Sequence, residues 1–302
     1  MFMNVFIVIP VYNEAKVIDA LSNLKKFPAY EVVIVDDAST DMPAFEKLAI
    51  SFTLITHSIN LGQGAALQTG MEYALSKRAD IIVHFDADGQ HNLNDINKVI
   101  DPINNRVADV VIGSRFLKNK MIISTHKIPY KKIIILQIAR CVQFVFAGVI
   151  LSDSQNGFRA FSNKAGSLIK ITENRMAHAI EIIQLIKRNN LSIKEVPVEI
   201  RYTDYSLQKG QKSMNGFFII FCLIRKAISE NKLLLTFVIF LTFSAIFFYM
   251  GIVRSTLFAF FIASICFLVF SIAKINRNKK ITKTKEIRSE AIKNLKVFKN
   301  TF

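Results

Sequence analysis

Short apolar runs recur through the first two-fifths of the chain, and most of them end in polar or acidic residues. Phe6–Ile9 runs into Pro10-Val11-Tyr12-Asn13-Glu14, and Val32-Val33-Ile34-Val35 into Asp36-Asp37. Ser51–Thr56 is a third run; Ile81–Phe85 leads into Asp86-Ala87-Asp88-Gly89-Gln90, and Asp109–Gly113 into Ser114-Arg115. Between them, Ala15–Lys26 and Ala65–Lys77 show helical spacing, the second opened by the turn Asn60-Leu61-Gly62-Gln63-Gly64. Runs that are apolar at successive positions suit strands covered on both faces. Strands alternating with helices predict an α/β, Rossmann-like domain with a mostly parallel, doubly wound sheet.

The pattern changes near residue 230. Leu233–Val253 and Ser255–Ala273 are almost uninterrupted hydrocarbon, with Arg254 between them, and each is long enough to cross a bilayer. So short a link predicts a transmembrane helical hairpin. Arg225, Lys226 and Lys232 precede it and a basic stretch follows, so both flanks are expected in the cytoplasm. The organisation expected is an α/β domain over 1–230, a two-helix membrane hairpin over 231–275 and a basic cytoplasmic tail over 276–302. Self-association through the hairpin stays open. Residues 133–151 are apolar but carry Gln137, Arg140 and Gln143 on one stripe, which fits an interfacial helix or a core helix better than a span. The N-terminus reads as a strand, lacking the basic start of a signal peptide.

Composition adds less than this pattern. The chain has 302 residues, and its 51% hydrophobic content suits one domain plus a membrane segment. Lys274–Phe302 carries ten Lys/Arg against Glu286 and Glu290, about half of the formal net charge of +16. Charge beside an apolar segment is expected to meet anionic lipid headgroups. No nucleic-acid-binding motif accompanies it, so nucleic acid is not expected as a partner. Cys141, Cys222 and Cys266 sit in apolar surroundings without CxxC spacing and read as buried thiols.

In open α/β sheets, ligands bind in the crevice beyond the carboxyl ends of the strands. Asp36, Asp37, Asp86 and Asp88 are expected to face that crevice. Asp86 and Asp88, two apart on extended backbone, project to one side. With the Gln90 carbonyl they could hold a hard cation, Mg²⁺ or Mn²⁺, of the kind that bridges substrate phosphates. Simpler readings exist for each feature: a solvated acidic loop at Asp86–Asp88, and a capped turn at Asp36–Asp41. Arg115 could pair with an acidic neighbour or clamp a phosphate. Asp153-Ser154-Gln155-Asn156-Gly157-Phe158-Arg159 could be a surface turn. Gly62-Gln63-Gly64 lacks the third glycine of a dinucleotide fingerprint, with Leu67 in its place; a helix N-terminus near phosphate explains it better.

Together these residues resemble the family 2 glycosyltransferases of the GT-A fold, and more narrowly the polyprenyl-phosphate sugar transferases related to dolichol-phosphate mannose synthase. The resemblance runs from Ile7 to about Asn215. It rests on Pro10-Val11-Tyr12-Asn13-Glu14, Asp36-Asp37-Ala38-Ser39-Thr40-Asp41, Asn60-Leu61-Gly62-Gln63-Gly64, Asp86-Ala87-Asp88-Gly89-Gln90-His91, Gly113-Ser114-Arg115-Phe116, Asn156-Gly157-Phe158-Arg159 and Glu195-Val196-Pro197, in that order. It implies that Pro10, Tyr12, Glu14, Asp36 and Asp37 bind the nucleotide, and that Asp86, Asp88 and Gln90 bind the metal. It also implies that Arg115, with Lys131 or Lys132, meets an acceptor phosphate, while Arg201 and Lys212 lie in a loop over the diphosphate. Glu181 matches a second acid of the family.

The expected activity is that of a membrane-anchored, metal-dependent, inverting glycosyltransferase, using a UDP- or GDP-sugar donor and a polyprenyl phosphate acceptor at the cytoplasmic face. Asp88 and Arg115 are its expected catalytic groups. An acceptor phosphate is ionised at neutral pH and needs no strong base. A sugar-hydroxyl acceptor, as in extension of a lipid-linked or surface polysaccharide, needs a positioned carboxylate, for which Asp153 is the candidate. A third reading is a non-catalytic scaffold that binds nucleotide-sugars.

Overall fold

The computed structural model describes residues 3–14, 17–117, 151–175, 177–200 and 296–300. These belong to one compact unit made of Met1–Gly216 and Arg288–Phe302. In chain order its strands are β1 (Val5–Val11), β2 (Glu31–Asp36), β3 (Phe52–Thr56), β4 (Ile81–His84), β5 (Val110–Ser114), β6 (Arg159–Ser162), β7 (Ile193–Pro197) and β8 (Lys296–Asn300). Its helices are α1 (Val17–Leu21), α2 (Gln63–Ser76), α3 (Ile96–Asn104), α4 (Asn163–Leu168) and α5 (His178–Arg188). The five expected strands and two expected helices all form; the second half of the first helix is a 3-10 turn over Ser22–Lys26.

The strands make one sheet in the order β7-β5-β6-β4-β1-β2-β3-β8. β1 pairs in parallel with β2 and β4, β2 with β3, and β5 with β7. Among the described strands only β6, between β4 and β5, and β8, on the β3 edge, run antiparallel. The sheet is therefore mostly parallel, as expected. β8 falls in the segment expected only as a basic tail.

Both sheet faces are covered, which is why the central strands carry apolar runs at successive positions, Val5–Ile9 in β1, Val32–Val35 in β2 and Ile81–Val83 in β4. Val5, Ile7, Ile9 and Val11 pack in one core with Val17 and Leu21 of α1 and Ile96, Val99 and Ile103 of α3. Phe6 and Val8 pack in the other with Ala66, Leu67, Met71 and Ala74 of α2 and Ile182, Ile183 and Ile186 of α5. α2 crosses β1 closely enough that a Cβ on Gly70 would overlap the Val8 side chain. Among the described residues no helix is long and apolar enough to cross a membrane. The expected hairpin at 231–275 and the apolar stretch at 133–150 lie outside the described residues, as do Lys131, Lys132, Arg201, Lys212 and the three cysteines.

Val8 is fully buried and β-branched, so it has little freedom to yield. Gly70→Ala should therefore lower unfolding stability by about 1–3 kcal/mol, overpacking outweighing the better helix propensity of alanine. A urea midpoint at or above that of the wild type would contradict this packing.

Candidate active site

At the end of β1 the chain turns through Asn13, whose φ is 47°, and there it meets the loop after β2. The Asn13 amide oxygen accepts from the Thr40 backbone N–H at 2.9 Å, and the Asn13 N–H donates to Ser39 Oγ at 2.9 Å. Ser39 Oγ in turn donates to Asp36 Oδ1 at 2.5 Å, and its N–H to Asp36 Oδ2 at 3.1 Å. Asp36, fully buried, thus ties the loop to its own strand. Asp37 reaches the other way. Its Oδ1 accepts from His57 Nδ1 at 2.7 Å and from the Leu61 N–H at 2.9 Å, and its Oδ2 from the Gly62 N–H at 2.6 Å. His57 Nε2 lies 3.0 Å from Thr69 Oγ1 on α2. Both carboxylates are therefore embedded in protein hydrogen bonds, while Tyr12 in the loop after β1 is 45% exposed.

Beyond the end of β4 the Asp86 and Asp88 carboxylates lie near each other, with buried Glu14 of the β1 loop close enough for its charge to act on Asp88. Asp86 Oδ1 accepts from Gln63 Nε2 at 2.8 Å, which brings the first turn of α2 to the acidic loop. Asp86 Oδ2 faces His91 Nε2 at 3.4 Å. Asp88 accepts from the Gln90 side-chain amide at 2.6 Å and from its backbone N–H at 3.0 Å. Burial pushes the Asp86 carboxyl up, but the bond and charge of His91, followed by the charges of His178 and then Arg159, outweigh it, leaving Asp86 below its usual range. Asp88 is raised, by burial first and then by the negative charges of Asp86 and Glu14.

Among the described residues no three His, Cys, Asp or Glu side chains form a ready-made metal cage. The donor set nevertheless fits a cation that takes part of its shell from a ligand. Two carboxylates are held together against their own repulsion, and each is bonded to a side-chain amide that can turn aside. Mg²⁺ and Mn²⁺ commonly bind through one or two carboxylates plus phosphate oxygens and water.

Arg115 follows β5 and is locked to Asp153: Nε to Oδ2 at 2.6 Å, Nη2 to Oδ1 at 2.6 Å, and the Arg115 N–H to Oδ2 at 3.1 Å. Glu195 on β7 holds the Asp153 end of this pair, accepting from the N–H groups of Ser152 and Asp153 and from Ser152 Oγ. Of the two sequence readings of Arg115, the acidic pairing is realised. The Asp153 side chain is only 1% exposed.

The stretch from Asp153 to Arg159 is not the surface turn that Asn-Gly suggested. Asp153, Ser154, Asn156, Phe158 and Arg159 are all buried. Gly157 sits so close to Asp86 that a Cβ there would overlap the carboxylate, which explains a glycine at that position. Sequence reasoning gave no role to Gln63, Gly157 or Arg159. Gln63 and Gly157 meet Asp86, far away along the chain, so local pattern carries no signal of them; Arg159 bonds to the nearby Asn156 and Ser154 carbonyls, and only the sheet buries it. Glu181 points its carboxylate at the N–H groups of Thr172 and Glu173 and at Thr172 Oγ1. It secures the loop whose Asn174 carbonyl accepts the Gly64 N–H at 2.8 Å, and so supports the turn that opens α2.

A family model described as glycosyl transferase family 2 matches residues 6–150. The chain is also 35% identical over 240 residues to the UDP-N-acetylglucosamine–dolichyl-phosphate N-acetylglucosaminyltransferase of Methanococcus voltae, covering 73% of this chain and 94% of that protein. The chain belongs to glycosyl transferase family 2. An uncharacterized protein of Methanocaldococcus jannaschii is 37% identical over 228 residues, 74% of this chain and 92% of that one. The polyprenol monophosphomannose synthase of Mycolicibacterium smegmatis is 24% identical over 221 residues, 70% of this chain and 80% of that protein. The resemblance carried by the motifs is thus borne out. Among solved structures, glucosyl-3-phosphoglycerate synthase from Mycobacterium tuberculosis matches with TM-score 0.51 at 16% identity, over 73% of this chain and 80% of that one. Its complex with Mn²⁺, UDP and glucosyl-3-phosphoglycerate matches with TM-score 0.50 at 17% identity, over the same shares. At such identity the likeness speaks for the fold alone, a GT-A-like α/β domain.

In this family 2 domain Asp37 accepts three hydrogen bonds, two of them buried, from one side chain and two backbone amides. Asp37→Asn sets an amide N–H₂ against donors, so unfolding stability should drop by about 1–3 kcal/mol. Faster hydrogen exchange at the Leu61 and Gly62 amides should accompany the drop. Unaltered exchange at both amides would rule out this role.

Proposed function

We propose that the protein is a membrane-anchored, inverting transferase that moves one sugar from a nucleoside-diphosphate donor to a polyprenyl phosphate at the cytoplasmic face. The family is that of glycosyltransferases, and named relatives act on dolichyl and polyprenol phosphates. The observation that carries the choice of acceptor is the state of Asp153. Both its oxygens accept from Arg115, and it is buried. A carboxylate held this way is a poor base for a sugar hydroxyl, whereas an acceptor phosphate needs none.

In this reading the Tyr12 side receives the nucleotide, with Asp36 and Asp37 shaping the loops around it. Asp86, Asp88 and Gln90 would hold a divalent cation, which would supply positive charge to offset that of the departing diphosphate. Arg115, oriented by Asp153 and Glu195, presents a fixed positive charge to the acceptor phosphate. The acceptor oxygen attacks the anomeric carbon, the bond from that carbon to the diphosphate breaks, and the nucleoside diphosphate departs. The two apolar segments at 231–275 keep the site near a substrate whose tail lies in the bilayer. UDP donors come first because the Methanococcus voltae relative is named for UDP-N-acetylglucosamine.

The test is transfer of labelled sugar from UDP- and GDP-sugars to polyprenyl phosphate by the detergent-purified full chain, with Mg²⁺ or Mn²⁺. Label should appear in a lipid monophosphate, and Asp88→Ala should reduce it at least about a hundredfold, beyond the usual effect of a lost outer-shell group. Label appearing only on a saccharide hydroxyl would sink the phosphate acceptor.

The raised Asp88 makes a separate prediction. Its folded pKa lies above the unfolded one, so protonated Asp88 favours the metal-free fold; that contribution is present below the unfolded pKa and lost as pH rises through the folded one. Asp88→Asn should thus raise the neutral-pH melting temperature of the metal-free protein and abolish its increase with Mn²⁺. In the wild type, Mn²⁺ affinity should weaken on acidification at a pH above the usual carboxylate range. Melting temperatures that respond to Mn²⁺ equally with and without Asp88 would exclude it as a ligand.

A further inference from the structure

We infer that Arg159 is the positioning residue that holds the two charged halves of the site in register, the Asp86 side and the Arg115–Asp153 side. The inference rests on the transferase reading above. Arg159 opens β6, where it faces His84 of β4 and Ile112 of β5, and it is 2% exposed. Its Nε donates to the Asn156 carbonyl at 2.8 Å and its Nη2 to the Ser154 carbonyl at 3.0 Å. The chain from Asp153 to Gly157 is therefore folded back over one guanidinium. One end of that loop carries Asp153, which orients Arg115. The other end carries Gly157, whose missing side chain makes room for the Asp86 carboxylate. Asn156 braces the interior, with Nδ2 3.4 Å from Asp153 Oδ2 and its Oδ1 accepting from the Phe158 N–H at 3.0 Å.

Charge follows the same layout. Arg159, lowered by burial to about 10, stays protonated, and its charge acts on both Asp86 and Asp153. Lysine at this position keeps a charge but cannot fork between two carbonyls. The pair Arg159→Lys and wild type therefore isolates the fork.

The full chain in detergent is compared with Arg159→Lys and Gly157→Ala, with melting temperature as the check on folding. Three quantities are read: Mn²⁺-dependent UDP affinity, UDP affinity without metal, and the acceptor KM at saturating donor. A folded Arg159→Lys should lose about tenfold or more in both Mn²⁺-dependent UDP affinity and acceptor KM, with metal-free UDP affinity unchanged. A lower melting temperature with both quantities unchanged makes Arg159 only a core residue, and weakening of one half alone breaks the proposed link. If Arg159→Lys does not fold, Gly157→Ala disturbs the same loop with Arg159 intact and must weaken both halves by a similar factor; unchanged values overturn the inference. A wild type that transfers no sugar to lipid phosphate refutes the proposed function alone. Mn²⁺-dependent UDP binding and inorganic phosphate binding then supply the same comparison: joint weakening supports the link, and weakening of one alone or of neither overturns it.

Discussion

Asp86 stands where β4 leaves the sheet, with one oxygen bonded to Gln63 and the other beside His91 and against Gly157. Two residues on, Asp88 is pressed into the same space and raised by burial and by its neighbour's charge. Holding two carboxylates together at a partly buried strand end is unfavourable without positive or hydrogen-bonding partners. Much of the described domain answers that demand. α2 delivers Gln63, the loop before β6 delivers the glycine, and β6 places the Arg159 charge behind it.

The same requirement accounts for the antiparallel strand inside the sheet. β6 lies between β4 and β5, the strands that lead to Asp86 and to Arg115. A loop that must touch both residues is best launched from the strand between them. Glu195 on β7 then braces the Arg115–Asp153 pair from the far side of β5. The site is thus assembled across four neighbouring strands, in keeping with ligand binding at the carboxyl ends of α/β sheets.

The side proposed to receive the nucleotide is built differently. There Asp36 and Asp37 spend their oxygens on Ser39, His57, Leu61 and Gly62, fixing loops around a more open surface at Tyr12. Short polar side chains at Asn13 and Ser39 lock the β1 and β2 loops to each other. Rigid loops reduce the ordering that a bound nucleotide must impose.

The amino-acid sequence alone determined the parallel core, because strands buried on both faces must be apolar at successive positions, as Val5–Ile9, Val32–Val35, Ile81–Val83 and Val110–Ile112 are. It also marked the acidic strand ends and the ordered motifs of the family. Periodicity stopped at β6, where Arg159 heads a four-residue strand, since a buried guanidinium interrupts the apolar pattern that announces a strand. It stopped again at β8, whose lysines read as tail until pairing with β3 satisfies their backbone. Tertiary structure decided what each polar residue faces. Arg115 and Asp153 are 38 positions apart, and Gln63 and Asp86 are 23 apart. Such contacts depend on strand order and loop path, which no local spacing encodes. The Asn-Gly pair shows the difference: local propensity favoured an exposed turn, and burial against Asp86 set its place.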